Sequence, residues 1–318
     1  MNSTVGRLIA QRLALGILTL LIVSVAVFFI TNLLPGDAAQ AALGQAATPE
    51  LLAALRTQFG LDQPAPLRYF SWLSGLLAGQ PGISLVNHMP VAQLIGGRLP
   101  SSLLLAGVTA AVSVPIALTL GITSAMYRGS KYDRAVNVMA VSMVSIPEFL
   151  VATIAVLIFA VHLHWLSALS HTAGITTFAQ FVKAYAMPVI TLCCVIVAQM
   201  SRMTRAAVID QLTSSYVEMA VLKGAGPVRI VLRHALPNAI GPIVNAVALS
   251  LSYLLGGVII VESIFNYPGI ATLMVDAVTT RDMPLVQACA MIFCAAYLML
   301  VLFADIVAIV ANPKLRIK

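Results

Sequence analysis

Charge is the scarcest commodity in this 318-residue sequence: only 9% of its residues are Asp, Glu, Lys or Arg, against 60% that are hydrophobic. A soluble domain needs about a quarter of its residues charged to dress its surface. A water-bathed globule is therefore excluded, and lipid must cover the excess apolar mass. Cysteine is scarce as well. Cys193, Cys194, Cys289 and Cys294 all fall inside apolar runs, form no CxxC pair and have no histidine at ligand spacing. They therefore read as small buried thiols rather than a metal site. No GxxxxGK[ST] phosphate loop occurs, which excludes an ATP site of that type. HExxH and GxSxG are missing too, and with them the metalloprotease and α/β-hydrolase signatures. The net charge is +7, yet the basic residues lie between apolar runs without interleaved aromatics. That pattern does not suit nucleic acid.

What the sequence does have is long uncharged runs. Residues 13–31 contain no charge, and at ~1.5 Å per residue they come close to a ~30 Å hydrocarbon core. Arg7 and Arg12 precede this run. It is too long for a signal-peptide core and no small-residue cleavage pattern follows it closely, so it reads as a retained first span. Further runs cover about 101–126, 135–161, 184–203, 238–261 and 285–311. They are continuous rather than alternating, which excludes a transmembrane β-barrel. With the N-terminus inside, 13 of the 18 Lys and Arg residues fall on the cytoplasmic side. This bias predicts an all-α polytopic inner-membrane protein with about six spans and both termini cytoplasmic.

Two connections are long. The first, about 32–100, lies outside and reads as short interfacial helices. Thr48 is placed to cap a helix that has Pro49 at its first position and Gly60 just past its end. Leu51, Leu52, Leu55 and Phe59 share one face of it. Farther on, Tyr69, Phe70, Leu73, Leu76 and Leu77 repeat at helical spacing. Packing against the bundle is the ordinary reading of such stripes, and substrate docking is the other.

The second long connection, 206–237, lies inside. Ser215-Tyr216-Val217-Glu218 fits a capping box. A short helix should run to Lys223 and end at Gly224, and Gly226-Pro227 should start another that carries Arg229, Arg233 and His234. Helix, tight bend, helix is more organised than a connector requires, though a surface pair without a partner has the same pattern.

At this loop the residues fall into a known order. The chain reads Glu218-Met219-Ala220, three residues, Gly224, nine residues, then His234-Ala235-Leu236-Pro237. This resembles the cytoplasmic motif of ABC-importer permeases, Glu-Ala-Ala, three residues, Gly, nine residues, Ile-x-Leu-Pro, with departures at Met219 and His234. The resemblance implies that the helix sits in a groove of an ATPase subunit. Tyr216, Glu218, Ala220, Lys223, Gly224, Arg233, His234 and Pro237 would form the coupling loop. Ala220 would permit close approach, and Gly224 the sharp exit.

The likeness runs along nearly the whole chain. It includes Leu34-Pro35-Gly36-Asp37, Arg98-Leu99-Pro100, Ser145-Ile146-Pro147-x-Phe149, Arg202-x-x-Arg205, Gly256-Gly257-Val258, Val261-Glu262-x-Ile264-Phe265, Pro268-Gly269 and Arg281-Asp282-x-Pro284-Leu285-Val286. In this order the chain looks like the B-type permease subunit of the dipeptide, oligopeptide and nickel ABC importers. The resemblance implies a type I importer permease fold in a bacterial inner membrane. It divides the chain into a first helix with its external loop (1–100), a five-helix core with the coupling loop (101–311) and a cytoplasmic tail (312–318). It also implies a second homologous permease, two cytoplasmic ATPase subunits that bind the ATP and Mg, and an external solute-binding protein. No cofactor or metal is implied in this chain. Di- or oligopeptides are the default cargo, with nickel chelates, glutathione and other small solutes as alternatives.

A few acids interrupt the apolar runs. An ionised side chain at the bilayer centre costs about 2.5–3.5 kcal/mol, so such residues face a wet interior or an interface. Glu148, beside Pro147, either lines a translocation path or meets a partner subunit. Glu262 either lines that path or pins the outer end of the fifth span beside 265–269. Asp305 reads as structural or interfacial. His162, His164 and His171 cluster outside with no carboxylate or cysteine among them, so they are not taken as metal ligands. Pro115, Pro147 and Pro242 lie within spans and invite kinks. A secondary transporter needs paired acids or broken helices in repeated halves, and a membrane enzyme needs a nucleophile with its base. Neither accounts for the organised inner loop.

Overall fold

The computed structural model describes residues 3–33, 48–58, 63–170, 172 and 174–311. The Leu34–Asp37 motif, Gly60, His171 and the tail from Asn312 lie outside the described residues. Among the described residues the secondary structure is helical apart from one isolated bridge, Ile83 to Pro90.

The helices are α1 (Ser3–Leu33), α2 (Pro49–Gln58), α3 (Ala65–Leu77), α4 (Val91–Met126), α5 (Lys131–Ser145) and α6 (Glu148–Ala155). There follow α7 (Phe178–Leu212), α8 (Ser215–Leu222), α9 (Pro227–Arg229), α10 (Leu236–Ile264), α11 (Ile270–Thr280) and α12 (Met283–Ala311). Wider π turns continue α6 over Val156–His162 and join α9 to α10 over Ile230–Ala235. Five helical stretches are long and apolar enough to cross a membrane: Gly6–Thr31, Val91–Met126, Phe178–Leu212, Pro227–Ile264 and Met283–Val310. A bent pair, α5 with α6 and its π turn, makes a sixth if the two pieces count as one span. The all-α polytopic architecture expected from the apolar runs is the one found.

The third run, read as continuous over 135–161, is broken by a bend of 98°. Pro147 is the cause. Its ring pushes the preceding residue out of the helical region: Ile146 sits at φ −92°, ψ 125°, and Pro147 itself starts α6 at ψ 140°. Other runs extend past their hydropathy limits. Helix α4 begins at Val91 because Val91 and Ile95 bury their side chains among Ile270, Leu273, Leu285 and Cys289. Helix α11 is apolar, but at 11 residues it is too short to span, since it rises only about 16 Å.

The chain forms two compact units. One comprises residues 17–103 and 268–296. Here α3 packs on α1: Tyr69 shares a hydrogen bond with Ser24 at 2.8 Å, and the rings of Tyr69 and Trp72 lie 5.5 and 5.9 Å from Phe28. Packing is thus what the stripe on α3 does for Tyr69, while Phe70 and Leu77 stay exposed. Buried Asp282 accepts hydrogen bonds from the Ser84 hydroxyl and the Leu85 amide, which ties the 82–90 turn down. The Gln287 amide donates to Thr31 at 2.6 Å.

The other unit comprises residues 1–16, 104–267 and 297–318. Helices α5, α6, α7 and α10 form its packed centre. At one end, Ala125, Val208, Val231, Ala239 and Ile243 form an apolar cluster that joins α4, α7, the second π turn and α10. Gly121 allows α4 to approach α7 there. A Cβ on it would lie 2.7 Å from both the Ser201 carbonyl oxygen and Thr204 Cβ.

Candidate functional site

The 206–237 connection folds as helix, bend, helix. Helix α7 carries past the membrane run to Leu212, and α8 starts at once from Ser214. The capping box expected at Ser215 does not form. Ser214 takes the N-cap position with extended backbone, and its hydroxyl donates back to the Gln211 carbonyl at 2.5 Å. With only two residues between α7 and α8, that hydroxyl satisfies a spare carbonyl of the preceding helix instead of a spare amide of the next. Tyr216 also reaches back, donating to Gln211 Oε1 at 2.9 Å.

Gly224 ends the helix as expected, in a complete Schellman motif. It sits at φ +80°, its amide donates to Val221 at 2.8 Å, and the Ala225 amide donates to Ala220 at 3.1 Å. That left-handed conformation is open to glycine without a Cβ penalty. Gly226 then caps α9, with Pro227 in the first turn. The π turn that follows lies just before Pro237. A proline cannot donate to the carbonyl four residues back and its ring crowds that carbonyl, so a wider turn relieves the conflict. Asn238 Nδ2 donates to the His234 carbonyl at 2.9 Å.

Helix α8 lies on this π turn. Its Val217 and Ala220 are buried, whereas Tyr216, Met219 and Leu222 are 40%, 54% and 75% exposed. Val228 and Leu232 are exposed as well. Glu218, Lys223, Arg229, Arg233 and Pro237 are exposed and His234 is half-buried. The loop therefore presents an apolar face with cations around it, on a rigid footing. Among the described residues no group of three or more His, Cys, Asp or Glu side chains is placed to hold a metal ion. The arrangement is suited to docking a partner.

The two acids singled out from the sequence sit elsewhere. Glu148 is the first residue of α6, and its carboxylate fills the notch left by Gly257 on α10. Its oxygens lie 2.8 and 3.1 Å from where a Cβ on Gly257 would stand. Glu262 is fully buried near the end of α10. Its carbonyl accepts from the Tyr267 amide at 2.8 Å, and the Tyr267 hydroxyl donates to that of Tyr185 at 3.2 Å. Asp305 pairs with Arg12 at 3.1 Å.

One constellation was not legible in the sequence. Asp133, in the first turn of α5, receives Arg205 of α7 in a two-pronged pair, Nε at 2.7 Å and Nη2 at 2.8 Å. The Ser124 hydroxyl, the Gly129 amide and Asn137 Nδ2 also donate to its carboxylate, at 2.5, 2.9 and 2.8 Å. The pattern Ser130-x-x-Asp133 signals the helix start, and Ser130 does cap α5. Nothing local points to Arg205.

Residues 117–317 match the family described as binding-protein-dependent transport system inner membrane component. Residues 5–106 match the N-terminal membrane component of such systems. The chain belongs to this family. It is an ABC importer permease, a multi-pass inner-membrane subunit and not an enzyme. The family implies a solute-binding protein and ATPase subunits as its partners. Among its relatives is a probable peptide ABC transporter permease protein of Sinorhizobium fredii, 32% identical over 311 residues, which covers 98% of this chain and 99% of the relative. A glutathione transport system permease protein of Pectobacterium atrosepticum is 37% identical over 300 residues, covering 94% and 95%. One of the same description from Escherichia coli is 36% identical over 310 residues, covering 98% and 99%.

Proposed function

We propose that this permease forms half of a translocation path for di- or oligopeptides or glutathione, with a second homologous permease as the other half. Two ATPase subunits bind ATP and Mg on the cytoplasmic side, and one of them takes α8 of this chain into a groove. The permease itself holds no cofactor or metal. Both termini lie in the cytoplasm, in keeping with the excess of Lys and Arg on that side. The observation that carries this reading is the apolar face of α8, with Tyr216, Met219 and Leu222 turned outward from a helix seated on a packed turn. An apolar face of this kind marks an interaction surface. Glu218, Lys223, Arg233, His234 and Pro237 flank it and set its polarity and angle. ATP binding closes the ATPases, moves the two loop helices and opens the cavity outward, and hydrolysis resets it. Glu148, half-buried at the start of α6, borders the path, and Glu262, buried at the end of α10, pins that end of the helix.

Peptide and glutathione cargo share a free ammonium, a carboxylate and amide bonds. The names of the relatives support this class. Replacing Gly224 with Trp should abolish uptake of a labelled tripeptide or of glutathione, together with binding-protein-stimulated ATP hydrolysis, while the chain still inserts and assembles. Wild-type uptake and stimulation in the Gly224→Trp complex would sink the coupling role. Calorimetric titration of the cognate solute-binding protein with tri-alanine and with glutathione separates the two cargoes.

A further inference from the structure

We propose that Asp133 and Arg205 are positioning residues that make the end of α7 and the α4–α5 turn one rigid body, so that a displacement of α8 is passed to α4 and α5 together. This rests on the docking of an ATPase at α8. Four features carry the proposal, and all of them lie within one compact unit.

The first is saturation. Asp133 is 4% exposed, and its carboxylate accepts from Arg205 twice and from Ser124, Gly129 and Asn137 once each. A carboxylate held from five directions has no alternative geometry nearby, and paired charges of this kind fix orientation more than they add stability. The second is reach. The donors come from α4 (Ser124), from the turn after it (Gly129), from α5 itself and from α7, 72 positions along the chain. One side chain thus fastens three helices.

The third is placement. Arg205 lies seven residues before the end of α7 at Leu212, about 10 Å along the helix axis, and α8 begins after a two-residue link. The fourth is continuity. Val208, one turn past Arg205, is in the apolar cluster with Ala125, Val231 and Ala239. The π turn under α8 contributes Val231 to that cluster. A force on α8 meets the π turn, the cluster and the clamped helix ends in succession. Arg202, one turn earlier on the same helix, lines an open recess beside Arg205 with Asn137 and Gln199. Arg205 is thus the basic residue of this helix end that is committed inward.

The test measures rigidity directly. Spin labels are placed at Tyr127→Cys in the α4–α5 turn and Asp210→Cys on α7, with the four native cysteines replaced by alanine. The permease is assembled with its partner permease and ATPases in nanodiscs. Distances are read with and without ATP-Mg. The proposal requires one narrow distribution that ATP-Mg leaves in place. Asp133→Asn and Arg205→Gln should each abolish that single distance and make it respond to ATP-Mg, and the double variant should be no worse than either single one. Assembled complex is quantified in each case. A pair that only helps folding would lower the yield and leave wild-type distances in the complexes that survive, which would overturn the proposal. A wild-type distance that shifts with ATP-Mg would do the same. The nucleotide-free widths depend on the pair alone, so they report on the clamp even if the ATPase docks elsewhere. A complex that hydrolyses ATP but moves no variant's distance would remove the role in transmission.

Discussion

Gly224 and Asp282 mark two ways in which a single position controls this fold. At Gly224 the control is conformational. Its φ of +80° costs a residue with a Cβ about 1–2 kcal/mol, although nothing lies within 4 Å of the Cβ that would be added. Gly224→Ala should therefore lower the fraction of coupled complexes without disturbing the packing, in contrast to the bulkier Gly224→Trp. At Asp282 the control is chemical. The buried carboxylate holds the Ser84 hydroxyl and the Leu85 amide. Asp282→Ala strands both, at about 1–3 kcal/mol for a buried unpaired group, and should lower the melting temperature in detergent. Ser84→Ala, which leaves the amide bond in place, should lower it less. Gly224 was legible in the sequence because a Schellman turn is written in neighbouring residues. The bond between Ser84 and Asp282, 198 positions apart, was not, because only the tertiary fold brings the two together.

The helices were legible wherever an apolar run told the whole story, and misread wherever something else set the boundary. Hydropathy began α4 near residue 101, but burial of Val91 and Ile95 begins it ten residues sooner. The run over 135–161 held its break in plain view at Pro147, yet composition alone gives no angle, and the bend is 98°. The short link between α7 and α8 starts the helix one residue early, at an N-cap of Ser214 whose hydroxyl turns back to Gln211, so the box expected from Ser215 does not form. Close helix pairs leave the faintest signal, since one glycine among many is needed. Gly121→Ala would put a Cβ 2.7 Å from backbone on α7. It should force α4 and α7 apart at a cost of about 1–3 kcal/mol, readable as a fall in thermal stability. Gly107→Ala on the same helix, with nothing within 4 Å, should leave stability unchanged or slightly raised.

At the scale of the molecule, an apolar chain carries an organised surface that is not apolar throughout. Helices α1 and α12 leave Ile22, Ile30, Met299 and Phe303 largely exposed, as apolar helices in lipid do. The Ser215–Ala235 loop instead mixes Tyr216, Met219 and Leu222 with Lys223, Arg229 and Arg233, which is the mixture of a protein interface. The energy for transport then comes from outside the chain. Purified alone, the permease should hydrolyse no ATP above a heat-denatured control. Restoring its ATPase subunits should bring hydrolysis that the solute-binding protein raises further. Thiol labelling of intact cells tests the orientation: a cysteine at Arg229 should be shielded from an impermeant reagent, and one at Leu77 should react.

The most direct test of the whole account is to place a photo-crosslinking residue at Leu222, the most exposed apolar side chain of α8, and illuminate membranes that contain the assembled transporter. The account predicts an adduct with the ATPase subunit at position 222 and none at Met299, a similarly exposed position on α12. Adducts with lipid alone at 222, in a complex that hydrolyses ATP, would contradict it.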